Sequence, residues 1–466
     1  MLTRRGFIRS SAAAALGFHG LRRLLAGDLA SATARAEIQG PYGDLIPDPD
    51  GVIDLPSGFT YRLMSKVGER MDDGLFVPSL HDGMGAFPGP DGATILIRNH
   101  EVESTEPAMG AFGPNNERLG RIDQARIYDR GYGDRPLLGG TTTIVYDTRS
   151  QRLLKHFLSL AGTGRNCSGG PTPWKSWISC EEWTQLADST RRRDHGYNFE
   201  VPATAQTGLV APVPLRAMGR FCHEAVAVDP RTGWVYQTED RDDGMIYRFR
   251  PHRRGRLAEG GRLETLSIRD RPSLDTRNWA RAGGRPAAGP VEVGRAMATS
   301  WLPVDNVDSP DDDLRHIGFA GGAARFARGE GMWFGRDAIY FACTNGGPAR
   351  LGQIWRHVPG FDGQEGDASV GPGTLELFIE SVDATLLQNA DNLTVAPWGG
   401  LFVCEDGPGE NRLLQVTGAG RVFAFARNRF RPDEFAGATF SPDGTTLFVN
   451  LQRHGMTVAI SGRWKT

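Results

Sequence analysis

The chain has 466 residues, of which 61 are Gly and 29 are Pro. Gly alone is roughly 13% of the chain against an ordinary share of about 7%, which excludes a mainly helical architecture and points to sheets and turns. The formal charge of -2 at pH 7 excludes the basic footprint of a nucleic-acid-binding protein.

The first predicted element is a leader. Thr3-Arg4-Arg5-Gly6-Phe7-Ile8-Arg9 is a twin-arginine export pattern. The weakly apolar stretch that follows, Ala12 to Gly17, is too short to span a bilayer. Ala34-Arg35-Ala36 offers a cleavage site, so residues 1–36 are expected to be removed and 37–466 to form a single domain. The expected location is periplasmic or extracellular, with the twin-arginine translocation machinery as a partner and no stable membrane span. Five cysteines occur (Cys167, Cys180, Cys222, Cys343, Cys404) without a C-x-x-C pair. Their odd number argues against a full disulfide framework.

From residue 95 onward one short pattern recurs six times: an apolar strand after a turn, ending in polar or acidic residues. The copies run Ile95–Glu101, Trp177–Glu182, Trp234–Asp240, Ala338–Asn345, Leu401–Asp406 and Leu447–Gln452. Turns rich in Asp, Pro and Gly precede them, for example Pro90-Asp91-Gly92 and Ser441-Pro442-Asp443-Gly444. A second short strand lies before each turn, beginning near Met84, Asn166, His223, Glu330, Asp391 and Ala436. Hairpins of nearly constant length separated by variable stretches predict an all-β, six-bladed β-propeller with loop or helical insertions. The insertions are placed at about 103–134 and 250–318, and Glu37 to Phe59 is expected to wrap the outside or close the ring.

In an antiparallel hairpin the start of one strand lies beside the end of the next. The polar ends should therefore form a crown at one mouth of the axial channel. Opening positions supply Asn166, His223, Glu224, Glu330, Asp391 and Asn392. Closing positions supply Asn99, His100, Glu101, Cys180, Glu181, Glu182, Glu239, Asp240, Thr344, Asn345, Glu405 and Asp406. One acidic strand end is ordinarily a solvated loop; five in register would repel strongly unless cations, protons or Arg neutralise them. Oxygen ligands suit Ca²⁺, and a thiolate calls for a transition metal beside it. Strand alternation does not allow all of Cys180-Glu181-Glu182 to face inward, and leaves open which of them do. Cys343 and Cys404 align with Cys180. The last hairpin ends in Asn450-Leu451-Gln452 without an acid, so the crown is expected to be incomplete there, where a substrate would enter.

Several of these segments together resemble the PhoX alkaline phosphatase family: Asn166-Cys167-Ser168-Gly169-Gly170-Pro171-Thr172-Pro173-Trp174 with Ser179-Cys180-Glu181-Glu182; Gly219-Arg220-Phe221-Cys222-His223-Glu224; Tyr236-Gln237-Thr238-Glu239-Asp240; Glu330-Gly331-Met332; and Asp391-Asn392-Leu393 leading to Cys404-Glu405-Asp406. The resemblance spans about Asp54 to Thr457, in a chain shorter than the larger family members. It implies a phosphomonoesterase holding Fe³⁺ and Ca²⁺ at the axis, with a bridging oxygen and one cysteine ligand, matched by motif to Cys180. The metal candidates are then Cys180, Glu181, Glu101, Glu224, Glu239, Asp240, Glu330, Asp391, Glu405 and Asp406. Asn166, Arg350 and Arg220 are the candidates for holding the phosphate of a small ester. The alternatives are a calcium-only propeller hydrolase such as a lactonase, and a non-enzymatic binding propeller stabilised by calcium.

Overall fold

Apolar runs of five to eight residues, punctuated by Asp, Pro and Gly, cannot continue as helix and fold back as antiparallel hairpins. The computed structural model describes residues 40–103, 106–133, 135–281, 289–360, 373–430 and 433–464; the expected leader, 1–36, lies outside them. Six hairpins are present. They pair β1 (His81–Pro88) with β2 (Thr94–His100), β3 (Asn166–Pro171) with β4 (Ser176–Glu181), and β5 (His223–Val228) with β6 (Val235–Glu239). The other three pair β7 (Gly329–Phe334) with β8 (Ile339–Cys343), β9 (Ala390–Val395) with β10 (Leu401–Glu405), and β11 (Phe435–Phe440) with β12 (Thr446–Leu451).

The first strand of each hairpin is innermost. These six strands touch in sequence, β1 to β3, β5, β7, β9, β11 and back to β1, so they form a closed ring. Further antiparallel strands extend each hairpin outward, and the result is an all-β, propeller-like arrangement. Among the described residues the sheets are nevertheless five rather than six. Strand Ala296–Pro303 pairs with both Gly261–Ile268 and Thr374–Glu380, fusing the third and fourth meanders into one nine-stranded sheet.

That strand also corrects the reading of 250–318 as an insertion. Gly261–Ile268 is the fourth strand of its own meander, paired with Ile246–Pro251. The α-helix of the described residues, Leu314–Ala320, follows from the same segment. The stretch 103–134 carries three short 3₁₀ turns and seats Phe112, Leu119 and Ile127 against Leu158 and Ala161. Ring closure comes slightly later than expected: Ile53–Pro56 joins the edge strand Val422–Asn428, and Phe59–Lys66 closes the ring on Met456–Gly462.

Between sheets the core is packed with aromatic and branched side chains. Trp177, 1% exposed, lies with Phe87 and Phe199. Its indole Nε1 donates to Asn99 Oδ1 at 2.9 Å, which satisfies the buried N–H. Asn99 in turn donates from Nδ2 to the carbonyls of Cys167 (3.1 Å) and Ser168 (2.6 Å). Core packing thus fixes the backbone that carries a residue of the site.

Candidate metal centre at the mouth of the ring

The same backbone device recurs at all six hairpins. The residue just past the end of the second strand (Glu101, Glu182, Asp240, Thr344, Asp406, Gln452) donates its N–H to the residue before the inner strand, or before its first pair, at 3.0 to 3.3 Å. The last residue within each strand therefore points the opposite way. On the inner strand the register slips immediately after the first pair or two in every hairpin. Such a bulge re-aims side chains, and here the second inner-strand residue turns to the mouth: Asp82, Cys167, Glu224, Glu330 and Asp391. A Cβ on the neighbouring Gly83 would lie 2.5 Å from Ser168 Cα, so the two inner strands approach this closely because that position is glycine.

These side chains surround a cavity of about 480 Å³ lined by nine carboxylates against three arginines, Arg165, Arg328 and Arg453. Four groups of donor atoms lie within 4.8 Å of one another: Asp82–Glu101–Cys167, Cys167–Glu182–Glu224, Glu224–Glu330–Asp391 and Asp391–Asp406–Glu434. Cys167, Glu224 and Asp391 are each shared, so the four groups form one continuous arc. The Cys167 thiol lies 3.3 Å from Glu224 Oε1 and 3.5 Å from Asp82 Oδ2.

The electrostatics show what the arc requires. Burial, then the charge of neighbouring acids, pushes Asp82, Glu182, Glu224, Glu330 and Glu434 well above the usual carboxylate range. Asp391 is raised to about 7, by burial and then by Asp406. Burial and the same acids raise the Cys167 thiol. Two arginines offset part of this: Arg165 pairs with Glu101 (2.8 Å) and Glu182 (3.3 Å), and Arg328 with Asp240 and Glu330 (both 2.8 Å). Glu224 Oε2 stays buried with no partner. A buried carboxylate oxygen left bare beside a thiol and further acids fits multivalent cations. Gln452 Nε2 donates to Asp82 Oδ2 (3.0 Å) and Glu101 Oε2 (2.8 Å), and Asn392 Nδ2 to Asp391 Oδ1 (2.8 Å), which holds those acids in place.

Of the residues singled out from sequence, Glu101, Glu182, Glu224, Asp240, Glu330, Asp391 and Asp406 meet at this mouth. The others lie elsewhere. Cys180 is fully buried among Ile178, Met218 and Phe221, and Cys167 occupies the place expected for it. Glu181 turns backwards to accept from the N–H groups of Gly164, Gly196 and Tyr197 and from His195. Glu239 accepts from Met245 N and Tyr247 Oη, and Glu405 from Arg412 and Gln388 N. Asn166 is buried between Thr163 and Ser179. Arg220 is buried on the carbonyls of Thr184, Ser309 and Pro310, and Arg350 lies on Trp279, 4.0 Å from the ring centroid. His100 and His223 bond backbone and hydroxyl groups away from the cavity. Asp82, Cys167 and Glu434 escaped notice; Asp82 and Cys167 stand beside the strand positions that sequence reasoning chose. Glu434 and Gln452 also fill the side of the crown expected to be open.

Glu181 has a structural duty. His195 Nδ1 lies 2.6 Å from its Oε1, and Nε2 lies 3.4 Å from Asp129 Oδ2. Burial lowers the imidazole pKa, but Glu181 and Asp129 outweigh it and raise His195 to about 9. The cation ties the 103–134 stretch to the end of β4, next to Glu182. Since the folded pKa exceeds the unfolded one, this stabilisation is complete below about 6.5 and is lost as pH rises through about 9. His195→Gln is expected to cost on the order of 3 kcal/mol at pH 6 and much less at pH 10, read by urea unfolding at the two pH values.

The family model for alkaline phosphatase PhoX matches residues 40–455. The chain belongs to the PhoX family. That places the acidic arc in a family of phosphatases and metal-dependent enzymes. No curated protein matches the chain. Among solved structures, a gluconolactonase from Xanthomonas campestris is 12% identical, covering 91% of this chain and 98% of its own, with a TM-score of 0.37. A calcium structure of a family AA12 carbohydrate-active enzyme from Trichoderma reesei is 11% identical, covering 92% and 99%, with a TM-score of 0.35. Among the described residues no helix of this PhoX chain is long and apolar enough to cross a membrane.

Proposed function

We propose that the protein is a phosphomonoesterase that works outside the cytoplasm after twin-arginine export, holding Fe³⁺ and Ca²⁺ at the mouth of its ring. The reading takes the six hairpins as six blades around one axis. The observation that carries it is the arc of one thiol and shared carboxylates, with Glu224 Oε2 bare and buried, in a chain of the PhoX family. Cys167, with Glu182 and Glu224 beside it, is the set suited to iron. The all-oxygen groups, Glu330 with Asp391 and Asp406 with Glu434, suit calcium.

Multivalent cations so held would neutralise the phosphoryl oxygens and lower the pKa of water, both of which phosphate-ester hydrolysis needs. The chain's own contribution is positional. Arg165 and Arg328 are fixed by paired acids at the cavity edge, where they present positive charge to an anionic substrate without having to reorganise. Gln452 and Asn392 hold acids in orientation by hydrogen bonds.

Elemental analysis of the natively purified protein, with an assay on p-nitrophenyl phosphate, tests this. Iron and calcium together with release of p-nitrophenol are expected. Protein that contains calcium alone and opens lactones but spares phosphate esters would replace this reading with the calcium-only hydrolase.

A further inference from the structure

Among the described residues three arginines line the central cavity, and two of them are paired with acids. Arg165 and Arg328 are each paired with two carboxylates. Arg453 differs. Among the described residues its guanidinium makes no hydrogen bond and no ion pair, although its charge reaches Asp406. Its backbone is firmly held. The Arg453 N–H donates to Asp433 Oδ1 (2.9 Å), Gln452 before it is bonded to Asp82 and Glu101, and His454 after it lies 2.5 Å from Asp433 and stacks on Phe430. An exposed cationic side chain is thus placed on a braced segment at the cavity, with no bonded partner among the described residues.

Its place is also distinctive. Arg453 lines the central cavity and an adjoining cavity of about 510 Å³ as well, and shares that boundary with Asp406 and Glu434. The rest of the second cavity is formed by Asn389, Gly407, Pro408, Asn411 and Asp433, without an aromatic or branched aliphatic side chain. The polar groups of Asn389, Asn411 and Asp433 are bonded to other parts of the protein. Among the described residues Arg453 is therefore the cation without a bonded partner at the junction.

Resting on the phosphatase reading above, we propose that Arg453 grips the phosphoryl group of the substrate, holding the ester across the boundary with its phosphate in the central cavity and its alcohol portion in the polar second one. Two guanidinium N–H groups match two phosphoryl oxygens, a geometry that lysine or a neutral amide does not reproduce.

The test uses full-length, metal-loaded protein and the variants Arg453→Ala, Arg453→Lys and Arg453→Gln. It measures KM and kcat for p-nitrophenyl phosphate, the affinity for inorganic phosphate by calorimetry, and metal content. Arg453→Ala is expected to weaken phosphate binding and raise KM by about tenfold or more, with metal content unchanged. The Lys variant should recover part of the loss and the Gln variant less. Phosphate affinity and KM within twofold of wild type in Arg453→Ala would overturn the assignment. Loss of metal in that variant would overturn it too, by making Arg453 a counter-charge for the crown. If the wild-type protein itself neither cleaves phosphate esters nor binds phosphate, the phosphatase reading falls, and this assignment with it.

Discussion

With iron held as proposed, Cys167→Ala is expected to leave a folded protein that lacks iron and the visible band of an iron-bound thiolate and has lost at least about 99% of its phosphatase activity. The reason is its place in the arc. Cys167 belongs to two of the four donor groups and stands between Asp82 and Glu224. An alanine methyl offers no electron pair, so both groups lose a ligand at once, and the acids around it lose the cation that balances them. The effect should exceed that of removing any single carboxylate at the end of the arc, such as Glu434. Cys180→Ala is the companion measurement. That thiol packs in an apolar cluster, so its removal should cost on the order of 1 kcal/mol in stability and leave metal content and absorption intact. Colour retained in Cys167→Ala, or lost in Cys180→Ala, would reverse the assignment.

Removal of the metals should destabilise the protein, and the loss should grow with pH. In the metal-free state the buried acids that Arg165 and Arg328 do not balance are relieved by holding protons. Asp391, raised to about 7 by burial and by Asp406, shows the direction. Its folded pKa lies above its unfolded value near 3.8, so its favourable contribution is complete below about 3.8 and is lost as pH rises through about 7. Metal binding runs the other way, because deprotonated acids bind cations better. A thousandfold excess of ligand over its Kd is worth about 4 kcal/mol. The melting temperatures of metal-loaded and chelator-treated protein should therefore lie close together at pH 5 and well apart at pH 8. Identical melting curves at pH 8 would show that the arc holds no cation that matters to the fold.

Much of this is legible in the sequence, and the errors have two causes, one at the strand ends and one at the arginines. Hairpin length and the Asp, Pro and Gly turns mark the strands, because a short apolar run beside a tight turn has few other ways to fold. Acids at strand ends mark the mouth for the same reason. What period-two reasoning missed is the slip in register after the opening of every inner strand. It moves the inward position to the second residue, which exchanges Asn166 for Cys167 and brings in Asp82 ahead of Met84. At the closing ends the inward residue lies just beyond the last ladder pair, so Glu182, Asp240 and Asp406 face the cavity while Glu181, Glu239 and Glu405 face the protein. Arg220 and Arg350 were attractive as charges near motifs. Their partners, the carbonyls of the 309–310 segment and the ring of Trp279, come from distant parts of the chain that no local pattern announces.

The seam between Phe59–Lys66 and Met456–Gly462 has a consequence for how the molecule is made. Donors at the mouth come from the earliest hairpin, through Asp82, and from the start of the latest, through Glu434, while Gln452 near its end holds Asp82 and Glu101 in place. A ribosome-bound fragment, however far advanced, therefore lacks part of the coordination set until the final strands emerge. Assembly of the ions is in this sense a report that synthesis is nearly complete, and a chain truncated before Glu434 should reach neither a closed circle nor a full complement of cations.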